Sequence, residues 1–404
     1  MESNVSFVET KIEDIITEIA MGPFGSNIKK DSFVSSGVPV LNGSNLTGFS
    51  TNDRDLRYVT EDKAKSLGKA LAARGDVVVT HRGTLGQIAY IPMNSRYENY
   101  IISQSQFRLK CDKTKVLPEY LVYYFHTPLG KWKLLSNTTQ TGVPALGRPT
   151  STFKNLYIEL PSIEQQSKIL KIIQPLQDKI SLNQQINDYL AEIGRVIWAK
   201  TARQAETNAK IATVAADVIT GKTPSTKKLE FYGEDYPFIT IPDMHSNIWL
   251  YSTERSLSEA GNNSQPKKLL QRGAVLVSCI ATVGLVGLVQ RPSHFNQQIN
   301  AVIPANQGDE YYLYYAMRSI KKDLLGIGAT GSATLNVNKK AFSEMKIPWP
   351  SRTDMNTYIK FVEPLFKAIE KNTINSFLLR ELRDNLLPKL MSGEIDVSKI
   401  ELSS

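Results

Sequence analysis

Several residue patterns in this chain could carry chemistry, and the spacing of each decides whether it does. Gly326, Gly328 and Gly331 spell the glycine pattern of a dinucleotide-binding turn, but that turn needs a strand before it and a helix after it. Here it follows YYLYYAMRSIKKDLL, a helical pattern, so a helix end and loop are expected. Gly221-Lys222-Thr223 ends like a phosphate loop, yet the first glycine of such a loop falls on Ala216. Pro242-Asp243 followed by Glu254 suggests a nuclease carboxylate pair, but Arg255 and Ser256 stand where such a site wants a lysine. The four histidines, His81, His126, His245 and His294, have no metal-ligand spacing. No Asn-Pro-Pro-aromatic tetrapeptide of the amino-methyltransferase kind occurs. No catalytic residue and no metal site is expected.

What remains is a set of basic, amide and hydroxyl side chains in turns. Lys29 and Lys30 form a basic pair, as do Lys227 and Lys228 at a similar place later in the chain. Arg82 with Thr84, Gln140 with Thr141 and Arg148, and Ser332 with Asn336 and Asn338 lie in or beside turns. Lys and Arg neutralise phosphates, while Asn, Gln and Arg make paired hydrogen bonds to base edges. These twelve positions are the candidate DNA-binding residues.

Such residues need elements to position them, and two stretches stand out. From Ile169 every seventh residue gives Ile169, Leu176, Asn183, Leu190 and Ile197, with Ile173 and Ile180 between: a heptad seam broken by one Asn. Adding 189 to each number gives Tyr358, Leu365, Asn372, Leu379 and Leu386, with Val362 and Ile369 between. The flanks repeat as well, since LPS at 160–162 answers WPS at 349–351. Two copies of one long helix are therefore predicted. A helix with such a stripe cannot bury it alone, so the two are expected to pack together. Roughly 38 residues at about 1.5 Å each make a spacer on the order of 55 Å long.

The segments between the helices also repeat. Lys11-Ile12 and Gly22 match Lys210-Ile211 and Gly221, and Arg74-Gly75 and Thr84 match Arg272-Gly273 and Thr282. YLVYYF at 120–125 matches YLYYAM at 312–317, and Thr141-Gly142 and Phe153 match Thr330-Gly331 and Phe342. The offset drifts through these segments and is constant in the helices, as expected when loops vary in length and a packed rod does not. The expected layout is a mixed α/β (α+β) domain at 1–162, a helix at 163–200, a second copy of the domain at 201–350, a second helix at 351–391 and a tail at 392–404. The apolar run Gly273–Val289 is long enough to raise a membrane span. Its counterpart at 74–91 contains Asp76, His81 and Arg82, so both are read as buried strand pairs with a glycine-containing turn.

At 404 residues, with 41% hydrophobic and 22% charged, the composition is that of an ordinary globular protein. The two cysteines, Cys111 and Cys279, in no CxxC, point to a reducing compartment, and the N-terminus lacks a signal-peptide pattern; a cytoplasmic location is expected. Of the net charge of +9, the two segments 1–162 and 201–350 hold +4 each, and the helices and tail are near neutral. That distribution suits a polyanion gripped at two places.

Three segments carry a resemblance to a known family: GPFGSNIKK at 22–30, LPSIEQQSKI at 160–169 and LRDNLLPKLMSGEIDV at 382–397. Together they make the chain, over nearly its whole length, resemble the DNA-specificity subunit of type I restriction-modification systems. The second helix start, WPSRTDMN, departs from the LPxxEQ pattern, with Asp354 and Met355 replacing the Glu-Gln pair. The resemblance implies two target-recognition domains of one fold, each reading half of a split, asymmetric site on double-stranded DNA. It implies two long antiparallel helices that hold them apart with pseudo-two-fold symmetry. It further implies two methyltransferase subunits as partners, and two restriction/translocase subunits in systems that carry them. No cofactor is expected in this subunit; S-adenosylmethionine would enter with the methyltransferases, and ATP and Mg with motor subunits. A non-catalytic role follows, with no membrane partner. The symmetry axis is expected near Asn183 and Asn372, with a buried Asn pair selecting the register. The alternatives are a coiled-coil scaffold binding only protein, or a nuclease whose site escapes pattern reading.

Overall fold

The computed structural model describes residues 7–24, 27–139, 143–245, 247–328 and 335–399. Contacts divide the chain into one unit of residues 1–177 with 381–404 and another of 178–380. Each unit thus holds the start of one long helix and the end of the other.

In the first unit a four-stranded sheet runs in the order Ile16–Met21, Gln106–Cys111, Val77–Thr80, Ile88–Tyr90. Val77–Thr80 is buried throughout because both its faces are covered. Val77 and Val79 pack with Tyr120, Tyr123 and Phe125 of the helix Pro118–His126, while Val78 faces Leu41, Ala72 and Tyr100. A second sheet, Arg57–Val59, Val38–Leu41, Asn99–Ile102, Leu71–Ala73, supplies that other core, with its two middle strands parallel. Val8–Lys11 pairs with Tyr157–Leu160 and closes the domain beside the helix start.

The second unit repeats this order. Its main sheet is Ala215–Thr220, Ile299–Pro304, Val275–Ser278, Val286–Val289, extended by Trp249–Leu250. Val275 and Val277 pack on the helix Asp309–Ser319 and Leu276 on the opposite core. The run Gly273–Val289 is therefore an antiparallel strand pair, as is its counterpart. No helix among the described residues is long and apolar enough to cross a membrane. The copies differ at their margins. Where the second unit has the strand Trp249–Leu250, the first has a single bridge, Ser50 to Tyr90; where the first has Leu71–Ala73, the second has a bridge from Leu270 to Ser293. The offset drifts instead where a loop shortens: residues 91–98 link Ile88–Tyr90 to Asn99–Ile102, whereas only 290–293 link Val286–Val289 to His294–Phe295.

The long helices span Ile163–Arg203 and Arg352–Met391. Ser162 and Gln165 cap the first reciprocally, each side chain meeting the other's backbone or side chain at 3.2–3.4 Å. Ser351 and Asp354 do the same for the second, so the departure from the LPxxEQ pattern preserves the cap. Buried Gln166 adds bonds to the backbone of Lys115, Leu117 and Pro161, anchoring the first helix to its domain. The helices run antiparallel within each unit. In the first, Ile169 and Ile173 share a core with Leu387, Leu390 and Met391. In the second, Asn183 donates to Asn375 at 3.0 Å and to Ser376 at 3.1 Å, and Asn372 donates to Asn187 at 3.0 Å.

Asn183 and Asn372 thus do not bond each other, contrary to the expected pair. Shifted by 189, however, the Asn183–Ser376 bond becomes the Asn372–Asn187 bond, so the polar layer repeats itself across the helix pair. The seam also differs in detail from a seventh-residue row. Ile169, Asn183 and Tyr358 are buried, but Leu176, Leu190, Ile197, Leu365, Asn372, Leu379 and Leu386 are half-buried, while Phe366 and Thr373 are buried. The physical reason lies in the second unit's core, where Phe366 stacks on Tyr311 at 4.7 Å and its carbonyl accepts the Trp249 indole N–H at 3.0 Å. That helix faces its domain as well as its partner helix. Residues past Met391 also fold back, since Val397 is buried in the first unit's core.

Candidate nucleic-acid interface

In the first unit Ser103-Gln104-Ser105 joins Asn99–Ile102 to Gln106–Cys111, and this turn is stitched down from both sides. Gly22 donates its N–H to the Gln106 carbonyl at 2.8 Å, and a Cβ on Gly22 would stand 2.0 Å from the Ser103 carbonyl oxygen. Only glycine permits that approach. From the other side the His81 N–H reaches the Ser105 carbonyl at 2.8 Å, and its ring Nε2 lies 3.2 Å from the Gln104 carbonyl. That bond requires a proton on Nε2, and burial holds the ring's pKa below the ordinary histidine value, so the imidazole is neutral. The Gln104 side chain projects into solvent.

The second unit builds the same turn from different residues. Asn296-Gln297-Gln298 joins His294–Phe295 to Ile299–Pro304. Gly221 donates to the Ile299 carbonyl at 3.1 Å, a Cβ on it would stand 2.1 Å from the Asn296 carbonyl oxygen, and Cys279 donates to the Gln298 carbonyl at 2.8 Å. Exposed Gln297 accepts a hydrogen bond from the Thr223 hydroxyl.

A further segment lines each turn. Arg82 bridges to Ala145, Gly83 donates to Pro144 and Leu146 to His81, so Arg82 and Thr84 share an edge with the segment leading to Arg148. In the second unit Ile280 bridges to Asn336, with Ala281 donating to Leu335 and Val337 to Cys279. Arg82, Thr84, Arg148 and Asn336 are all exposed. Arg148 adopts a left-handed φ of 46° immediately before the helix Pro149–Lys154, which turns the chain away at that point. Asn338 is a helix cap, accepting from the Ala341 N–H at 2.9 Å. The lysine pairs are exposed but belong to separate turns: Lys29 and Lys30 open a short helical turn, and Lys228 lies 5.0 Å from the Phe231 ring centre. Gln140, Thr141 and Ser332 lie outside the described residues.

The other chemical patterns resolve into structure. Asp243 accepts from the Thr240 N–H and hydroxyl and from the Glu254 N–H, closing a turn. His294 is buried between Asn262 and Gln265, and burial lowers its pKa to about 4. Burial pushes the Cys111 thiol up to about 12 and Cys279 to about 11, which removes nucleophilic thiolate at neutral pH. Gly326 and Gly328 lie in a helix, and Gly331 lies outside the described residues. Among the described residues no cluster could hold a metal ion.

On its outer face the first long helix carries Leu182, Ile186, Tyr189, Ile193 and Val196, spaced 4-3-4-3 and between 36% and 71% exposed. That is a second heptad stripe, left uncovered by its own chain. At the matching positions the second helix has Lys371, Asn375, Leu378, Leu382 and Asn385, of which the two leucines are exposed.

Comparison with known proteins decides what this duplicated architecture is. Residues 5–192 and 211–378 each match the family described as type I restriction modification DNA specificity domain. The chain belongs to that family. This specificity subunit is 29% identical to the type I restriction enzyme HindI specificity subunit of Haemophilus influenzae, over 94% of this chain and 99% of the relative. It is 24% identical to the MjaIX specificity subunit of Methanocaldococcus jannaschii, over 96% and 94%. The crystal structure of a type I restriction-modification S subunit from M. genitalium has the same fold, with a TM-score of 0.59 at 14% identity over 96% of this chain and 97% of that one.

Sequence reasoning passed over two features of the specificity subunit. Gln104 and Gln297 occupy one position in the two copies, but SQSQ and NQQI share a single glutamine there and the local offset of 193 fits neither neighbouring block. The outer stripe was readable as a second heptad row, masked by the more regular seam on the same helix.

Proposed function

We propose that each domain of this subunit reads one half of a bipartite, asymmetric DNA site, and that the paired helices fix the spacing of the halves as a dimer axis does elsewhere. The reading heads are residues 1–162 and 201–350. One observation carries this reading: both domains hold the same stitched turn on the same scaffold, yet present Arg82 and Ser-Gln-Ser in one copy and Ile280 and Asn-Gln-Gln in the other. A common frame with unlike surfaces suits two different half-sites. The outer stripe of the first helix, with Leu378 and Leu382 on the second, is the docking face for two methyltransferase subunits. Restriction/translocase subunits would join through the assembled complex. Cofactor chemistry enters with the partners, S-adenosylmethionine for methyl transfer and ATP with Mg where a motor is present. The subunit itself is non-catalytic.

Mapping methylated adenines in cells with and without this gene tests the proposal. A bipartite motif present only with the gene is the expected result; an unchanged methylation pattern overturns it. A protein-only scaffold is separated by titrating salt against DNA affinity, because binding through several phosphates makes log K fall steeply with log salt.

A further inference from the structure

The two stitched turns place one glutamine at the same structural position in each domain. Gln104 and Gln297 each sit in the middle of a three-residue link between two strands, and the same two neighbours fix that link: the Gly22 or Gly221 N–H on one side and the His81 or Cys279 N–H on the other. The residues flanking the glutamines are consumed by the turn itself. Ser103 donates its N–H to the Gln106 side chain at 2.9 Å, and Asn296 exchanges hydrogen bonds with Gln298 at 3.0 and 3.1 Å. The central glutamine alone is left exposed at the tip. Its backbone is held by the close approach of the glycine, so the amide is presented from a rigid base. A carboxamide offers one donor and one acceptor side by side, which matches the N6 and N7 edge of adenine in the major groove.

We propose that Gln104 and Gln297 are equivalent base-reading residues, each specifying an adenine at one position of its own half-site. In the second domain the Thr223 hydroxyl donates to one lone pair of Gln297 Oε1 and orients the amide, leaving the other lone pair and Nε2 to the base. His81 plays the supporting part in the first domain by holding the Gln104 carbonyl. This inference rests on the half-site reading above and names the contact within it.

The test uses the subunit co-purified with its partner methyltransferase subunits, selecting from a pool of random duplex DNA. The wild-type complex is expected to enrich a bipartite site with an A·T pair at a defined position in each half. Gln104→Ala should relax preference at one position of one half by about tenfold or more, leaving the other half intact, and Gln297→Ala should do the same in the other half. Gln104→Glu and Gln297→Glu keep the side-chain shape and should move the preferred base from adenine toward cytosine, whose N4 donates to a carboxylate. Unchanged base preference in the four variants, or a uniform loss of affinity with the preferred site intact, overturns the proposal by marking these residues as bystanders or phosphate contacts. A wild-type complex that enriches no bipartite site would instead overturn the half-site reading itself.

Discussion

The Tyr315 hydroxyl lies against the bare backbone of Gly194. It donates to the Ala191 carbonyl at 2.7 Å, and a Cβ on Gly194 would stand 2.5 Å from it. Glycine inside an exposed helix normally destabilises by about 1 kcal/mol relative to alanine. Here the order reverses, because the second domain's buried helix needs that gap. Gly194→Ala is expected to lower the stability of the second unit by about 1–3 kcal/mol in urea unfolding, with Tyr315→Phe in the same chain restoring part of the loss. A more stable Gly194→Ala protein would refute the steric account.

The polar layer between the helices makes a second prediction. Asn183→Ala strands the Ser376 hydroxyl and opens a gap, with an expected loss of about 1–3 kcal/mol. Replacing the layer as a whole, with Asn183→Leu, Asn372→Leu, Asn187→Ala and Ser376→Ala, should leave stability equal or higher and allow the helices to slip. Spin-label distances along the pair report the register. A single fixed register in the apolar variant would show that the amides do not select it.

Acid should weaken the fold in a defined window. The folded His294 imidazole takes a proton only near pH 4, whereas in the unfolded chain it does so near 6.5. The unfolded state therefore binds more protons between these values, and stability falls as pH drops from about 6.5 to 4, by on the order of 3 kcal/mol from this group. His81 and His126, whose pKa values burial also lowers, act in the same direction. His294→Gln should flatten the dependence of Tm on pH; an unaltered curve would assign the acid sensitivity elsewhere.

Part of this architecture was legible in the sequence and part was not. The duplication could be read because identical spacings at Ile169–Ile197 and Tyr358–Leu386 survive only where no insertion is tolerated. The buried strand pairs were legible from charged residues in one copy of an apolar run. The true partners of Asn183 and Asn372, which are Asn375 with Ser376 and Asn187, were not, because a constant shift relates equivalent residues and antiparallel helices place non-equivalent ones side by side away from their axis. Nor were Phe366 and Thr373, whose burial depends on which way the domain behind them presses. The stitched turns were hidden because what defines them is a backbone oxygen 2.0–2.1 Å from an absent Cβ, which leaves no side-chain signature except glycine.

DNA affinity gives a fourth prediction. Arg82 is exposed at the edge of the stitched turn, and its counterpart is Ile280. If Arg82 neutralises a phosphate, Arg82→Ala should reduce the slope of log K against log salt by about one, with site preference unchanged. An unchanged slope would place it off the backbone.

The outer stripe makes the fifth. Ile186→Glu with Ile193→Glu alters exposed positions, so the fold should persist with its unfolding free energy unchanged to within about 0.5 kcal/mol. Co-purification of methyltransferase subunits should fall sharply. Full recovery of the complex would move the docking face elsewhere.

Gly22 and Gly221 leave no room for any side chain, while the three residues they clasp differ between the copies in all but one. The frame therefore behaves as a socket and the tip as a replaceable insert. If these turns read bases as proposed, transplanting Asn-Gln-Gln into the place of Ser-Gln-Ser, with the glycine untouched, would alter what the protein says to DNA without rewriting the grammar that lets it fold.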